Sequence, residues 1–450
     1  MKFDSRSLNR KLIQIAAPIA IQGIVTATLT MVDNLMVGFL GETELAAVGV
    51  GAQLFMVHYM ILFGLLSGTA TFMAQFYGTR DMANIRKVIG FAFTLLTALG
   101  IIFFLATNFF TDTILSLYTE DLAVRELASA YVRINSFSFL LLAFSSPLEM
   151  AFKATQQVRL PMIVSTAVFV SNTFINYILI FGKFGFPQLG VAGAAIGTLS
   201  ARIIELVLNM FFAFRKENSF RGSIGSFFGW DPELIRRIIR NATPTTLNEF
   251  FWGFGQTMYV AAFNRIGTTA YAAYQAANSL FNILNFASFS VGDAALILIG
   301  EKLGEGDKKY TWVLSRHIIK VAAGVGLTLG LITIALSKPL SQVFNLSAQG
   351  KTYTFYILIV FGATMLIDLL NGVLIAGVLR AGGDTRFTML TECGSIWLVA
   401  VPLAFMAALV WHLPVHLALL LTRTESLIKA VILLRRFKSK KWMNTVIDDL

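Results

Sequence analysis

Apolar stretches long enough to cross a membrane follow one another almost without pause from residue 12 to residue 434. A hydrocarbon core of ~30 Å is crossed by about 20 apolar helical residues. Inside it every backbone amide must find its partner within the chain, so such stretches fold as helices. The chain is 56% hydrophobic and 14% charged, whereas soluble domains carry about 25% charged residues. The expected fold is an all-α integral membrane protein with twelve transmembrane helices in two pseudo-symmetric six-helix lobes. The spans are read at 12–37, 45–76, 88–110, 125–151, 160–182, 191–214, 240–264, 270–300, 314–337, 353–379, 387–410 and 416–434.

The net charge of +11 does not point to nucleic acid, because its distribution is that of a membrane protein. Lys and Arg gather at alternate inter-span loops: Arg80, Arg86 and Lys87; Lys153 and Arg159; 215–240; Lys302, Lys308, Lys309 and Arg316; Arg380 and Arg386; and 435–441. All fall on the side of the N-terminus, which places both termini in the cytoplasm. The basic start (Lys2, Arg6, Arg10, Lys11) leads into an apolar stretch too long for a cleaved signal and is expected to stay as an anchor. Cys393 is the single cysteine, and His58, His317, His412 and His416 form no metal-ligand pattern.

The halves repeat. Moving forward 226 positions, Pro18 lands on Pro244, Gly41 on Gly267, Ala46-Ala47 on Ala272-Ala273, Gly78 on Gly304 and Asp81 on Asp307. At 227, Phe152-Lys153-Ala154 lands on Leu379-Arg380-Ala381, with Arg159 on Arg386 and Met162 on Met389. An even number of spans per half makes this a parallel repeat about an axis along the membrane normal. The domains are read as 1–214, a cytoplasmic linker at 215–240, and 241–450 with its basic cytoplasmic tail. In the linker, Asp231-Pro232-Glu233 offers an N-cap, a proline at the first helical position and a first-turn acid. The amphipathic run that follows either lies on the interface or begins the seventh span.

Three acids stand inside apolar spans: Asp33, Glu249 and Asp368. At the centre of a membrane helix an acid costs ~2.5–3.5 kcal/mol, so each needs a partner or a task. Glu249 and Asp368 have no basic residue within a turn on their own helices. That isolation suits groups that load and release a proton or cation. Glu149, Glu205 and Glu392 lie toward helix ends and are expected to snorkel to the interface. His58 is expected to be a hydrogen-bonded packing histidine rather than a proton relay.

Several motifs in order carry a resemblance: Ala17-Pro18; Val32-Asp33-Asn34-Leu35-Met36-Val37-Gly38; Glu44-Leu45-Ala46-Ala47; Asn172-Thr173-Phe174-Ile175-Asn176; and Arg380-Ala381-Gly382-Gly383-Asp384-Thr385-Arg386. With the repeat, the chain resembles the multidrug and toxic compound extrusion (MATE) family of secondary transporters over nearly its whole length. That family's two lobes form a V-shaped cavity alternating between the membrane faces. The resemblance implies an N-lobe ion site at Asp33, Asn172, Asn176 and Thr198, and a C-lobe site at Glu249 and Asp368. The DinF-like branch keeps an acid at the position of Asn176 and lacks the Glu249–Asp368 pair, so this chain is closer to the NorM-like pattern.

Asn172 and Asn176 share one helix face. With Asp33 and Thr198 they make an oxygen cage of single charge, suited to Na⁺ as a hard monovalent cation or to a protonated Asp33. The same alternative, Na⁺ or H⁺, stands at Glu249 and Asp368. No cofactor is expected beyond this coupling ion. The 40 phenylalanines and 15 methionines suit a pliable apolar cavity. Its candidate lining residues are Phe251, Trp252, Gln256, Gln275, Phe281 and Asp293, aromatic faces near acids being a setting for organic cations.

Gly382-Gly383-Asp384-Thr385 lacks the Gly-Lys-Ser/Thr of a phosphate loop and reads as a tight cytoplasmic turn. ATP-driven transport has no motif here, and no catalytic constellation marks an enzyme. The reading is a multidrug exporter in the bacterial cytoplasmic (inner) membrane, exchanging organic, mainly cationic, amphipathic compounds for Na⁺ or H⁺. Its partners are small-molecule substrates and membrane lipids, with no nucleic acid, and the protein is expected to be monomeric. The alternative is a lipid-linked precursor flippase of related fold. A flippase would line its cleft with basic residues to hold pyrophosphate, whereas Arg and Lys are read as avoiding the membrane core apart from Arg202.

Overall fold

The computed structural model describes residues 5–448. Among them there is no strand, and nine helices are long and apolar enough to cross a membrane. The chain divides into two compact units, Ile21–Arg236 and Arg237–Leu450, with Met1–Ala20 grouped in the latter.

The first unit takes the second part of α1 (Ser5–Gly38), then α2 (Glu42–Gly78), α3 (Met82–Phe109), the short α4 (Thr111–Ser116), α5 (Leu122–Asn135), α6 (Phe137–Ala154), α7 (Arg159–Phe181) and α8 (Gly190–Phe214). α3 packs on α6, α7 on α8, and α8 also on α5 and α6. The span expected at 125–151 is two helices. Ser136 breaks it, donating its hydroxyl to the Arg133 carbonyl at 2.7 Å while accepting from Asn108 at 3.0 Å. A serine bonded back onto the preceding turn competes with the helix ladder and bends the chain.

The second unit holds α9 (Pro232–Ile266), α10 (Thr268–Gly304), α11 (Lys308–Ser341) and α12 (Ala348–Gly372). It continues through a π-helical segment (Val373–Leu379), α13 (Thr385–Ser395), a second π-helical segment (Ile396–Ala400), α14 (Val401–Leu409), α15 (Val415–Thr422) and α16 (Thr424–Lys438). α9 runs unbroken from its cap, where Asp231 Oδ1 accepts from Glu233 N at 3.1 Å. Lipid is as apolar as leucine, so helix association here rests on close packing rather than on a hydrophobic drive. α11 and α12 show it: a Cβ on Gly330 would stand 2.4 Å from the Gly362 carbonyl oxygen. The core of this unit stacks Phe281 on Phe361 with ring centroids 4.2 Å apart. The last expected span, 416–434, is interrupted in structure and in apolarity by Arg423, Glu425 and Lys429.

The repeat extends to the backbone. Asp81 caps α3 through Asn84 N at 2.9 Å, and Asp307 caps α11 through Tyr310 N at 2.9 Å. The left-handed turns also correspond. Arg80 (φ 58) matches Gly306 (φ 77), Gln156 (φ 62) matches Gly383 (φ 70), and Gly185 (φ 85) matches His412 (φ 50). Non-glycine residues rarely adopt this conformation, so finding it at repeat-related positions fixes the correspondence of the two halves. The turn at Gly382-Gly383-Asp384 is present, with Gly383 in the left-handed region.

Candidate functional site

In the first unit, Asp33 lies five residues before the end of α1 at Gly38, ~8 Å along the axis. Asn172 and Asn176 are buried one turn apart on α7. Asn176 donates through Nδ2 to Asp33 Oδ1 at 2.8 Å and to Asn172 Oδ1 at 3.0 Å. Gly197 of α8 makes room for this amide, since a Cβ there would sit 1.8 Å from Asn176 Oδ1. That buried oxygen receives no hydrogen bond. Three of the four expected residues are therefore joined in one chain of bonds. Thr198 is not bonded into it; its hydroxyl donates to the Ala194 carbonyl of its own helix at 3.0 Å.

Sequence reasoning missed Tyr131 of α5, which stands beside Asp33, Thr198, Asn135 and Arg202. A lone tyrosine in an amphipathic helix gave no signal. Arg202, one turn along α8 from Thr198, pairs with Glu205 at 2.5 Å. Glu149 accepts from Gln22 at 2.7 Å and pairs with Lys153 at 2.8 Å. Glu205 and Glu392 are buried and held by partners, so the expectation that they snorkel outward is corrected. Helix-end position leaves the choice open, and an available cation inside the bundle decides it.

The second unit departs more sharply from expectation. Glu249 and Asp368 are not isolated. Arg380, buried directly after the first π-helical segment, donates to Glu249 Oε1 at 2.6 Å. Asp368 Oδ1 accepts from the Ser426 hydroxyl at 2.8 Å, while Oδ2 accepts from Thr364 at 3.0 Å and Arg423 at 3.4 Å. The cationic partners lie 131 and 55 positions away in sequence, beyond any same-helix search. Besides Arg202, the described residues include Arg380 and Lys429 buried within the second unit and Arg423 half-buried there. Lys429 lies 3.7 Å from Glu392 and 3.4 Å from Glu425, and Asn248 donates to Glu392 at 2.7 Å.

Among the candidate lining residues, Phe251 is exposed and meets Trp397 edge-on at 6.4 Å. Trp252 packs on the second unit's core and Gln256 and Asp293 are half-buried. Gln275 is exposed and donates to the Tyr271 hydroxyl at 3.1 Å. Phe281 is a buried core residue stacked on Phe361, a placement that opposes a lining role. His58 is buried against Phe103 and Phe139, as a packing residue is, but its Nε2 has no hydrogen-bond partner, so the expected hydrogen bond at that nitrogen is corrected. Among the described residues, no group of three or more His, Cys, Asp or Glu is disposed to hold a metal ion.

Comparison with known proteins places this arrangement. The MatE family model matches twice, at residues 18–178 and 244–406, so its two starts fall at the repeat offset. The probable multidrug resistance protein NorM of Thermotoga maritima is 23% identical over 447 residues, covering 98% of this chain and 94% of the relative. The multidrug resistance protein MdtK of Edwardsiella ictaluri is 25% identical over 409 residues, covering 89% and 88%. Among solved structures, a MOP superfamily transporter from Pyrococcus furiosus superimposes with a TM-score of 0.88 at 16% identity, covering 96% of each chain. An outward-facing multidrug resistance MATE family transporter does so with 0.87 at 17%, covering 96% and 97%. The fold is theirs, and with the family model matching both halves, this chain belongs to the MatE family of multidrug efflux transporters.

Proposed function

We propose that the protein is a secondary active exporter that expels organic, mainly cationic, amphipathic compounds in exchange for inward Na⁺ or H⁺, exposing its binding site alternately to the two membrane faces. The observation that carries this reading is Asp33. A carboxylate on a membrane-crossing helix is hydrogen-bonded by the neutral amide of Asn176, beside an amide oxygen with no donor. Such a group changes its charge or takes a monovalent cation without stranding a counter-charge. Glu249 and Asp368 would act differently, since an arriving ion must compete there with Arg380 and Arg423. The protein is assigned to a bacterial cytoplasmic membrane with both termini inside, and to action as a monomer.

The flippase alternative gains cations inside the units, but Arg202, Arg380, Arg423 and Lys429 each face a carboxylate within 4 Å. Cations already matched by acids are poorly placed to grip pyrophosphate. The test is ethidium efflux from vesicles holding purified protein, with Na⁺ and pH gradients imposed separately. Efflux accelerated by either gradient supports the reading; efflux indifferent to both removes it.

A further inference from the structure

Three acids and two cations meet within the second unit, and their charges do not balance. Asp368 has Arg423 at 3.4 Å, whereas Glu392 and Glu425 share Lys429 at 3.7 and 3.4 Å. The side chains of Lys429, Glu425 and Glu392 retain only 8, 9 and 12% of their exposure. Glu392 has an additional donor in Asn248. Glu425 Oε1 takes a long bond from Lys429 Nζ at 3.5 Å. Ser426 stands 3.3 Å from the same oxygen but has one hydroxyl proton, and the 2.8 Å bond to Asp368 takes it. Oε2 of Glu425 is buried and receives no hydrogen bond.

The repeat gives the same position a second meaning. Moved back 227 residues, Glu425 falls on Thr198 and Lys429 on Arg202. The second unit thus carries an acid where the first has a hydroxyl one turn before its paired cation. Two carboxylates desolvated around one ammonium repel each other, and neutralising one removes the surplus. The charged and titratable groups facing the pair are Lys429, Arg423, Asp368, Glu249 and Cys393, with Tyr259, and Tyr274 behind Arg423. Tyrosine and cysteine are ordinarily neutral at pH 7, so they do not restore the balance. Glu249 brings no further surplus, because Arg380 stands 2.6 Å from it.

We propose that Glu392 and Glu425 form a one-proton site gripped by Lys429, distinct from Glu249 and Asp368, with the proton carried on Glu425. A proton fits better than Na⁺, because the Lys429 ammonium already stands between the two carboxylates and a metal ion would face it. The proton is taken from water and returned to water, with no bond made other than O–H. Within the exporter reading, on which this consequence rests, the site supplies a proton that exchange across the membrane would move.

The test is infrared titration of the full chain in lipid nanodiscs in Na⁺-free buffer, in an Asp33→Asn background so that the first unit's acid is silent. A carboxylic-acid C=O band is expected at neutral pH. It should be lost on adding either Glu425→Gln or Glu392→Gln, since each leaves one acid for one lysine, and kept on adding Glu149→Gln. If Glu425→Gln fails to fold, Glu392→Gln reads the same loss. A band that survives both substitutions, or is absent from the background, overturns the proposal; a band removed by added Na⁺ overturns the proton assignment. The measurement needs no transport. An intact band in that background, beside a wild-type protein that exports under no gradient, would sink the exporter reading alone.

Discussion

The two units share their turns and helix caps, yet they hold the acids expected to take an ion in different ways, although Glu149 and Glu205 of the first unit also face cations. In the first, Asp33 is held by the side-chain amide of Asn176, with Asn172 behind it. In the second, Glu249 and Asp368 are held by Arg380 and Arg423, and Glu392 and Glu425 by Lys429. A neutral donor tolerates either charge state of the acid. A cation tolerates only the ionised one unless it can turn to another carboxylate. The repeat therefore supplies one scaffold for two kinds of ion chemistry, and the difference lies in a few side chains rather than in the backbone.

That contrast can be broken most forcefully at the repeat-related cations Arg380 and Lys153. Removing one partner of a buried ion pair costs about 3–5 kcal/mol. Arg380→Met is expected near that range, because the arginine is 1% exposed and Glu249 only 16%. Adding Glu249→Gln should recover most of the loss. Lys153→Met should cost less, about 1–2 kcal/mol, since Glu149 is 26% exposed and keeps Gln22. Denaturant unfolding in detergent compares the pair, and equal losses would erase the distinction drawn between the units.

A smaller effect is expected where α8 meets α7. Gly197→Ala puts a methyl group where Asn176 Oδ1 stands and should cost about 1–3 kcal/mol as overpacking, with the bond to Asp33 disturbed. Thr424, the repeat counterpart in the second unit, spends its hydroxyl on the Leu421 carbonyl of the preceding helix at 2.7 Å. Thr424→Ala should cost under about 1 kcal/mol. Thermal unfolding of both variants checks the order, and a reversal would mean that Asn176 is not held against α8.

These contrasts were only partly legible in the sequence. Most span positions and the repeat were, because hydropathy, caps such as Asp81 and Asp307, and turn residues such as Gly383 act locally and leave a local trace. Asn172 and Asn176 were placed on one face by helical spacing, and that part of the site follows. The charge pairing of the second unit was not legible, because Glu249 and Arg380 lie 131 positions apart and meet only through the fold. The break at Ser136 and the two π-helical segments also escaped, since one serine in an apolar run does not announce which carbonyl it will take.

The central claim is that an acid held by neutral partners links ion flow to export. The most direct measurement is ethidium efflux from vesicles containing Asp33→Asn protein under the gradient that drives the wild type. Asn keeps the size of the side chain and removes its charge. The account predicts a folded protein whose efflux no longer responds to the gradient. Efflux that follows the gradient at the wild-type rate would contradict it and reduce Asp33, Asn172 and Asn176 to a knot of hydrogen bonds that only holds α1 against α7.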